Sequence, residues 1–327
     1  RHVVHLVAPD DAAADTFAAE VEARLADPAR ERRPEPFAAS PTAPAPATPD
    51  PATAGPVVVR PDRTTYHAEY ARIQDELHAG NTYEATLAHT VRVTAPVDPL
   101  SLYLRLRELN PAPYAAYLRY GDVKVLSSSP ERFLSAGPDD VLETRPIKGT
   151  TPRGDTVQDD ALHRWRLGHE PKFLAENLMI ADLLRNDLSR VCLPGSVQVS
   201  ELMTVESYAS VHQLVTTVQG RRRPGTGVVD CIRALFPGGS MTGAPKLRTM
   251  EIIDRVESEP RGIFSGALGW IGQDGGCDLS IVIRTLVGAG PVEDGAWSIG
   301  VGGGIVVSSR PDEEYDETGW KASRLLA

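Results

Sequence analysis

Cysteine is scarce in this chain of 327 residues, which contains only Cys192, Cys231 and Cys277. The three lie far apart, with no CxxC pair and no histidine at the spacing of a metal site. A disulfide framework or a zinc finger requires cysteines at characteristic close spacings. We therefore expect reduced thiols with a structural role.

Long apolar runs and an excess of positive charge are also absent from the sequence. No apolar run approaches the roughly 18 residues of a membrane span, and no charged segment followed by an apolar one suggests a signal peptide. The formal net charge is -10, and lysines and arginines are scattered except at residues 221–223. These features disfavour membrane and nucleic-acid partners, since a phosphate backbone attracts clustered cations. By default we expect a cytoplasmic protein.

Proline, alanine and threonine dominate residues 28–61, for example in "PTAPAPATPDPATAGP". Such a composition cannot bury enough apolar surface to fold, so the segment is predicted to be an extended, disordered linker. Residues 1–27, with a short strand in "HVVHLVA" and an amphipathic helix after it, are expected to be the remnant of an N-terminal element. Residues 62–327 are expected to form one catalytic domain.

Periodicity after the linker predicts both helices and strands. Tyr66, Tyr70, Ile73 and Leu77 share one helical face, and Asp98 is placed to cap a second helix, "PLSLYLRLREL". Short β-type runs separated by turn residues predict an antiparallel meander from "PYAAYLRY" to "VLETRPI". A long helix is predicted for "PKFLAENLMIADLLRNDLSRV", and strands for "VHQLVTTVQG", "GALGWIG", "LSIVIRTLV" and "WSIGVGGGIVV". This order favours an α+β fold with mainly antiparallel sheets.

Three glutamates are candidates for a metal site. Glu176 lies among apolar residues in "FLAENLMIADLL", where an unpaired carboxylate is costly to bury. Glu314 and Glu317 are three residues apart on a predicted helix, with Lys321 four residues further on. Carboxylates of this kind suit Mg²⁺. By itself, however, the spacing is more often that of a solvated charged face.

Other motifs leave their roles open. The glycine-rich stretches "FPGGSMTGAPK" and "GVGGGIV" suit either anion binding or a tight turn, and neither has the order of a phosphate loop. A lone histidine such as His212 is more often a hydrogen-bonded core residue. Arg284, in the apolar "SIVIRTLV", needs either a protein carboxylate or a substrate carboxylate. Lys148, in "ETRPIKGTTPRG", has a spacing compatible with solubility, anion binding or chemistry.

Taken together, the motifs resemble those of the chorismate-utilising enzymes, and among them component I of the aminodeoxychorismate synthases. The match runs from about Thr64 to Ala327, with several long motifs in the family's order. They are "SPERF", "TRPIKGTTPRG", "AENLMIADLLRNDLSRVC", "VHQLVTTVQG", "FPGGSMTGAPK", "IVIRTLV" and "GGGIVVSSRPDEEYDETGWKA". The resemblance implies the family's α/β sandwich with flanking helices, Mg²⁺ as cofactor and chorismate as substrate.

The resemblance also implies roles for individual residues. The Mg²⁺ carboxylates match Glu176, Glu314 and Glu317. Arg284 and Gly304 match the holders of the enolpyruvyl carboxylate, and Phe264 stands where many relatives have Tyr or Trp beside that arginine, so the hydrogen bond made there is not expected. The remaining matched residues, which line the chorismate site, are Gly149, Thr150, His212, Thr242, Gly302, Gly303 and Lys321.

Within this resemblance, Lys148 decides the expected reaction. Anthranilate synthases carry Ala in "PIAGT", whereas aminodeoxychorismate synthases carry "PIKGT", as here. Isochorismate and salicylate synthases place a water-activating Lys where this chain has Glu84, so no such base is expected. The implied chemistry has neutral Lys148 attacking C2 of chorismate while Glu131 protonates the departing C4 hydroxyl, before ammonia adds at C4. Desolvation and the charge of Arg145 or of the metal are expected to keep the lysine neutral.

The family takes its ammonia from a glutamine amidotransferase. Such a domain needs a nucleophilic cysteine in a glycine-rich elbow, which none of the three cysteines offers, so a separate subunit or an upstream fused domain is expected to supply ammonia. The expected product is 4-amino-4-deoxychorismate, a precursor of para-aminobenzoate. The alternatives are component I of anthranilate synthase and a non-catalytic chorismate-binding subunit.

Overall fold

The computed structural model describes residues 57–326, apart from residues 138 and 210. The strand and helix predicted within residues 1–27, and most of the predicted linker, lie outside the described residues. The division into an N-terminal remnant, a linker and one large domain stays a prediction. None of the described helices is both long and apolar enough to cross a membrane.

Seven α-helices lie in the described part of the chain. They are α1 Arg63–His78, α2 Pro99–Leu109, α3 Val157–Leu167, α4 Pro171–Ser189, α5 Val228–Leu235, α6 Lys246–Val256 and α7 Pro311–Leu326. One-turn 3₁₀ helices occur at Gly239–Met241 and Val292–Asp294.

Fourteen strands in the same part of the chain form two antiparallel sheets. They are β1 Val57–Val59, β2 Glu84–Thr94, β3 Tyr114–Tyr120, β4 Val123–Ser129, β5 Arg132–Ala136, β6 Val141–Arg145, β7 Ile147–Pro152, β8 Gln198–Ser207, β9 Val211–Arg221, β10 Gly243–Ala244, β11 Ala267–Ile271, β12 Cys277–Ile281, β13 Thr285–Ala289 and β14 Ala296–Ile305. The first sheet has the order β1-β2-β14-β13-β4-β3, with β10 paired to β2. The second has the order β11-β12-β5-β6-β9-β7, with β8 paired to β9. The predicted α+β class with mainly antiparallel sheets is confirmed.

The first two helices begin where the sequence predicts them. The side chain of Asp62 accepts a hydrogen bond from the Thr65 backbone N–H at 2.7 Å and caps α1. The predicted apolar face of α1 is buried, which confirms that helix. Asp98 caps α2 in the same way, through the Ser101 N–H at 2.8 Å. The long helix α4 has a proline at its first turn, where no N–H partner is needed, and ends two residues before its predicted end.

The structure corrects the end of the predicted linker. Val57–Val59 pairs with β2, which places these residues within the first sheet. The Arg60 guanidinium donates to the Tyr315 carbonyl on α7 at 3.0 Å. Three consecutive valines supply the β-branched side chains that the proline-rich composition of the preceding segment lacks.

Two predicted β segments are divided between the sheets. The expected meander pairs β3 with β4 in the first sheet and β5 with β6 in the second. Likewise "LSIVIRTLV" forms the end of β12 in the second sheet and the start of β13 in the first. Arg284, at the second crossing, has a φ of 51°, so it does not lie inside a strand as predicted. An apolar run gives no signal for such a crossing, because both sheets bury the same kinds of residue.

Some helices and strands have little apolar periodicity, and the sequence did not predict them. The clearest is α3, which buries only Leu167. Its start is set instead by Thr156, whose hydroxyl accepts a hydrogen bond from the Asp159 N–H at 3.1 Å. The strand β8 is likewise half-exposed along most of its length, and it pairs only with β9.

Within the described part of the chain, two hydrophobic clusters stabilise the fold. One lies between the second sheet and helices α4 and α5, and it contains Phe133, Leu188 and Leu235. The three cysteines belong to this cluster, and all are buried and free, as predicted. The other cluster packs α1 and α6 against β2 and β14. The segments that cross between the sheets lie at the junction of these two halves, where Glu131 and Arg284 are found.

Candidate active site

Lys148 lies on β7 and reaches the beginning of β2. Its Nζ is 2.5 Å from Oε1 of Glu84, the first residue of that strand. The Lys148 side chain is 13% exposed and the Glu84 side chain 1%, so the ion pair is buried. A Cβ at Gly304 on β14 would lie 2.2 Å from Glu84 Oε1 and 3.0 Å from Lys148 Nζ. The glycine therefore leaves the space in which this ion pair forms.

The charge of Lys148 differs from the expected neutral amine. Burial disfavours the ammonium, but the charge and hydrogen bond of Glu84, together with the charges of Glu176 and Glu131, outweigh burial, and the pKa of Lys148 is raised. Arg145, expected to repel the ammonium, is engaged elsewhere: it pairs with Glu206 and donates to the Thr217 hydroxyl at 3.4 Å. The sequence does not reveal that β2 brings a carboxylate to the lysine. The neutral amine expected for the reaction stays a prediction.

Glu131 lies between β4 and β5, where the chain crosses from the first sheet to the second. Its backbone carbonyl accepts a hydrogen bond from the Ile281 N–H at 3.0 Å, and its Oε1 accepts one from the Ser240 hydroxyl at 2.7 Å. Burial raises the pKa of Glu131 to about 7, against the opposing effects of Ser240 and Lys148. A carboxyl group with this pKa holds a proton near neutral pH and can donate it to a leaving group.

Glu176 on α4 and Glu314 on α7 are acidic side chains in a poorly solvated region. Burial raises the pKa of Glu176, and the negative charge of Glu317 adds to the effect. Burial also raises the pKa of Glu314, with Glu317 again adding, although the Ser309 hydroxyl donates to Glu314 Oε1 at 2.8 Å. The three glutamates predicted to bind metal are therefore brought close enough to influence each other's ionisation.

Glu317 is the most solvated of the three, with its side chain 47% exposed. Burial opposes its charge, but the Lys321 ammonium, 2.7 Å from Glu317 Oε1, outweighs burial and lowers the pKa of Glu317. Lys321 also donates to the Gly302 carbonyl at 2.7 Å. This lysine thus joins α7 to the glycine-rich strand β14.

The donor chemistry of the three glutamates fits a hard divalent cation. All of their ligand atoms are oxygens, which Mg²⁺ prefers. The raised pKa values of Glu176 and Glu314 reflect carboxylates whose negative charge a cation would stabilise. In the described residues, however, no group of three or more His, Cys, Asp or Glu side chains is already arranged to hold a metal ion. Their role as metal ligands stays a prediction.

Glycines bring the backbone close to these side chains. A Cβ at Gly303 would lie 3.0 Å from Glu314 Oε2. Gly149 has a φ of +95°, and a Cβ there would lie 2.9 Å from Leu167 and 3.2 Å from the Phe173 ring. Next to it, Thr150 pairs with Gln213 across β7 and β9. The predicted glycines thus lie beside the acidic region, on β7 and β14.

His212, on β9, belongs to a hydrogen-bonded network. Its Nε2 is 3.0 Å from Asp160 Oδ1, and its Nδ1 is 2.8 Å from the Ser207 hydroxyl. The side chain of Asp160 also bonds Arg153, and these bonds, with those from the Gly154 N–H and His212, hold the pKa of Asp160 well below its usual range. His212 is buried, and both of its ring nitrogens have protein partners. These contacts are those of a hydrogen-bonded core histidine.

Arg284 and Phe264 line different cavities. Arg284 lies with its Cζ 5.9 Å from the centroid of the Trp320 ring, and both residues line a small cavity of about 30 Å³ that also includes Thr150. Phe264 packs over Gly300, where a Cβ would be 2.0 Å from the Phe264 ring. It lines a cavity of about 390 Å³ formed by β2, β13, β14 and residues 259–264. The expected position of Phe264 beside the arginine is therefore not evident in this conformation.

The larger of the two cavities does not contain the predicted catalytic residues in this conformation. Of the predicted site residues, only Phe264 lines the larger cavity. Lys148, Glu131 and the three glutamates belong to a region that is closely packed around the Lys148–Glu84 ion pair. We place the candidate site there, because buried groups that can donate or accept protons meet at that position.

Thr242 has its hydroxyl occupied by a local turn. It donates to the Gly238 and Gly239 carbonyls, each at 3.2 Å. The Thr242 carbonyl accepts a hydrogen bond from the Thr86 N–H at 2.8 Å, which attaches the loop to β2. This loop also carries Ser240 to Glu131. Its role in binding substrate stays a prediction.

Three functional contacts were missed from the sequence. Glu84 as the partner of Lys148, Ser240 as the donor to Glu131 and Asp160 as the partner of His212 are all distant in the chain from the residues they contact. Glu84 alone had a usable signal. A charged residue that begins the apolar strand "EATLAHTV" needs a buried partner.

Comparisons with known proteins agree with this geometry. A family model described as chorismate binding enzyme matches residues 4–327. The aminodeoxychorismate synthase of Streptomyces pristinaespiralis is 53% identical over 248 residues, 76% of this chain and 34% of the relative. Component 1 of the aminodeoxychorismate synthase of Klebsiella aerogenes is 44% identical over 268 residues, 81% of this chain and 57% of the relative. The chain therefore spans from about a third to less than two thirds of the length of these relatives.

A solved structure has the same fold. Anthranilate synthase component I from Streptococcus pneumoniae superposes with a TM-score of 0.75 at 28% sequence identity, and the match covers 97% of this chain and 67% of that chain.

Proposed function

Because the chain belongs to the family of chorismate binding enzymes, we propose that it converts chorismate and ammonia to 4-amino-4-deoxychorismate. The 53% identical relative is named aminodeoxychorismate synthase, which supports this product. The observation that carries the proposal is the meeting of Lys148 and Glu131 in one buried acidic region. A lysine and a protonated carboxyl group together offer a nucleophile and an acid for a poor leaving group.

The proposed chemistry has two displacements. Lys148, as free amine, forms a bond to C2 of chorismate, both ring double bonds shift, and the C4 hydroxyl leaves as water with the proton of Glu131. Ammonia then bonds to C4, both double bonds shift back, and the bond from C2 to Lys148 breaks. Dividing one difficult substitution into two easier ones is the usual advantage of covalent catalysis.

We propose that Glu176, Glu314 and Glu317 hold Mg²⁺ in this site. Bound there, the ion would stabilise negative charge on the ring carboxylate of chorismate. The buried setting of Glu176 and Glu314, and the oxygen-only donor set, support this assignment. Lys172 on α4 is an additional positive charge that acts on all three glutamates.

The other predicted residues are proposed to hold the substrate. Arg284 is proposed to bind the enolpyruvyl carboxylate, since a guanidinium recognises carboxylates in a fork-like geometry. Lys321, Gly302 and Gly303 form one connected group beside Glu317 and Glu314, and they are proposed to bind around the ring carboxylate. Ligand binding would then have to open the closely packed region around Lys148.

Ammonia is proposed to come from a glutamine amidotransferase, present as a separate subunit or as a fused domain. The name component 1 of the Klebsiella relative supports a partner component. A cytoplasmic location is proposed from the substrate, and no membrane or nucleic-acid partner is proposed.

Anthranilate synthase component I is the second candidate, favoured by the TM-score of 0.75 to the Streptococcus structure. A coupled assay separates the two functions. The protein is given chorismate, Mg²⁺ and an ammonium salt, followed by an aminodeoxychorismate lyase. We expect 4-aminobenzoate. Appearance of 2-aminobenzoate without lyase would favour anthranilate synthase instead, and chorismate binding without turnover would favour a non-catalytic subunit.

A further inference from the structure

The Lys148–Glu84 ion pair is an arrangement that the proposed mechanism does not explain. An ammonium has no lone pair and cannot attack carbon. The charge of Glu84 nevertheless holds Lys148 in that form. Some group must therefore take a proton from Lys148 before the first displacement begins.

Glu84 is the group placed to take it. Its Oε1 is 2.5 Å from Lys148 Nζ, within the range of a direct proton transfer. The other charged groups that act on Lys148 include Glu131, between β4 and β5, Glu176 on α4 and Glu317 on α7. Glu131 is needed in its protonated form for the leaving hydroxyl, and Glu176 and Glu317 are proposed to bind the metal. Glu84 has neither task.

The surroundings of Glu84 also differ from those of a structural ion pair. The Glu84 side chain is 1% exposed, yet its Oε2 has no hydrogen-bond partner among the described residues. Buried carboxylate oxygens in purely structural pairs are normally satisfied by further donors. An unsatisfied buried oxygen calls for an explanation, and a catalytic role is one that fits its position beside Lys148.

We propose that Glu84 is a catalytic base that accepts the ammonium proton of Lys148 and later returns it. This inference rests on the proposed function, because it gives Glu84 a part in the same covalent reaction.

The proton balance closes over one cycle. Glu84 takes a proton from Lys148, the amine bonds to C2, and Glu131 gives its proton to the departing hydroxyl. After ammonia has displaced the lysine, Glu84 returns its proton to the Lys148 amine. The new C4 ammonium gives its extra proton to Glu131. The net change is chorismate plus ammonia to 4-amino-4-deoxychorismate plus water, with both glutamates restored.

The test measures the first displacement alone, with the full chain, chorismate and Mg²⁺ but without ammonia. Rapid quenching and intact mass give the rate at which the lysine adduct forms. In Glu84→Gln we expect this rate to fall by about 100-fold near neutral pH, the scale of a general base, and the deficit relative to the unchanged protein at the same pH to shrink as pH rises and solvent removes the proton. In Glu84→Ala, added formate or acetate should restore part of the rate.

The controls separate a base from a structural residue. Glu84→Asp keeps a carboxylate and should retain more of the rate than Glu84→Gln, with the pH profile of the unchanged protein. An adduct rate in Glu84→Gln equal to that of the unchanged protein would overturn the proposal. A lowered rate with an unaltered pH profile and no rescue by carboxylates would overturn it as well. If the unchanged protein forms no adduct but makes 4-amino-4-deoxychorismate, the covalent role of Lys148 and the role of Glu84 both fall, while the proposed product stands.

Discussion

Lys148 and Glu84 form a buried ion pair, with 2.5 Å between Lys148 Nζ and Glu84 Oε1. They come from β7 of the second sheet and β2 of the first, so the pair joins the two halves of the fold. Gly304 on β14 borders both atoms. The amine proposed to attack the substrate is therefore held in place by contacts from three separate strands.

The first prediction concerns the pH dependence of Glu131. Its pKa is about 7, raised above the usual range by burial, and it must be protonated to act as an acid. We expect the rate of adduct formation to fall as pH rises above about 7. Glu131→Gln should remove this dependence and lower the rate by about 100-fold or more. The measurement is the adduct rate between about pH 6 and about pH 9, a range that brackets the transition.

Ser240→Ala is a matched control for the fall in the rate of adduct formation above about pH 7. The Ser240 hydroxyl donates to Glu131 and favours its ionised form. Its removal should raise the pKa of Glu131 and shift the falling limb to higher pH. A limb that stays in place, or moves to lower pH, would assign it to another group.

Much of the fold follows from local sequence signals. The capping aspartates and the buried face of α1 are encoded within a few residues, as is the alternation along β14. The crossings at residues 130–131 and 282–284 are not, because they depend on which sheet each strand joins. The buried surface of α3 is too small to produce a periodic pattern.

The candidate site was only partly predictable, because contacts between distant residues leave no local sequence pattern. Lys148, Glu131 and the three glutamates were found through motif resemblance, which preserves residue types in order. The pairing of Lys148 with Glu84 spans 64 residues and two sheets. No local pattern reports such a contact, which raises the pKa of the lysine.

Gly304 provides a test of the space around the ion pair. A Cβ there would lie 2.2 Å from Glu84 Oε1, far below ordinary contact distance. We expect Gly304→Ala to displace Glu84 and Lys148 and to lower the adduct rate by about 10-fold or more, because small misplacements of reacting groups are costly. Gly227→Ala is the control, since its Cβ would meet nothing closer than 3.4 Å. Equal rates in the two variants would contradict the close packing described here.

Substitution of Glu314 tests the acidic cluster through protein stability and through Mg²⁺ binding. Its pKa is raised by burial, so its contribution to stability is present below the unfolded-state pKa and is lost as pH rises through the folded-state pKa. Without metal at pH about 8, Glu314→Gln should remove the charge and raise Tm, with no gain near pH about 4. The amide oxygen can still accept from Ser309. Thermal unfolding at both pH values measures this.

The same variant should bind Mg²⁺ more weakly. Loss of one carboxylate ligand is expected to raise the Kd for Mg²⁺ by about 10-fold or more, as measured by titration calorimetry. Glu313→Gln is the control, because Glu313 lies on the same helix but is 65% exposed and pairs with Arg310. Unchanged Mg²⁺ affinity in Glu314→Gln would argue against the proposed metal ligands.

The most direct measurement is the mass of the protein after incubation with chorismate and Mg²⁺ in the absence of ammonia. The account predicts an increase equal to chorismate less one water, located on Lys148 by peptide mapping and released when ammonia is added. Lys148→Ala should show no such increase, whereas Lys172→Ala, which removes an exposed lysine from the same region, should retain it. An adduct that persists in Lys148→Ala, or product formed at an undiminished rate by that variant, would contradict the account.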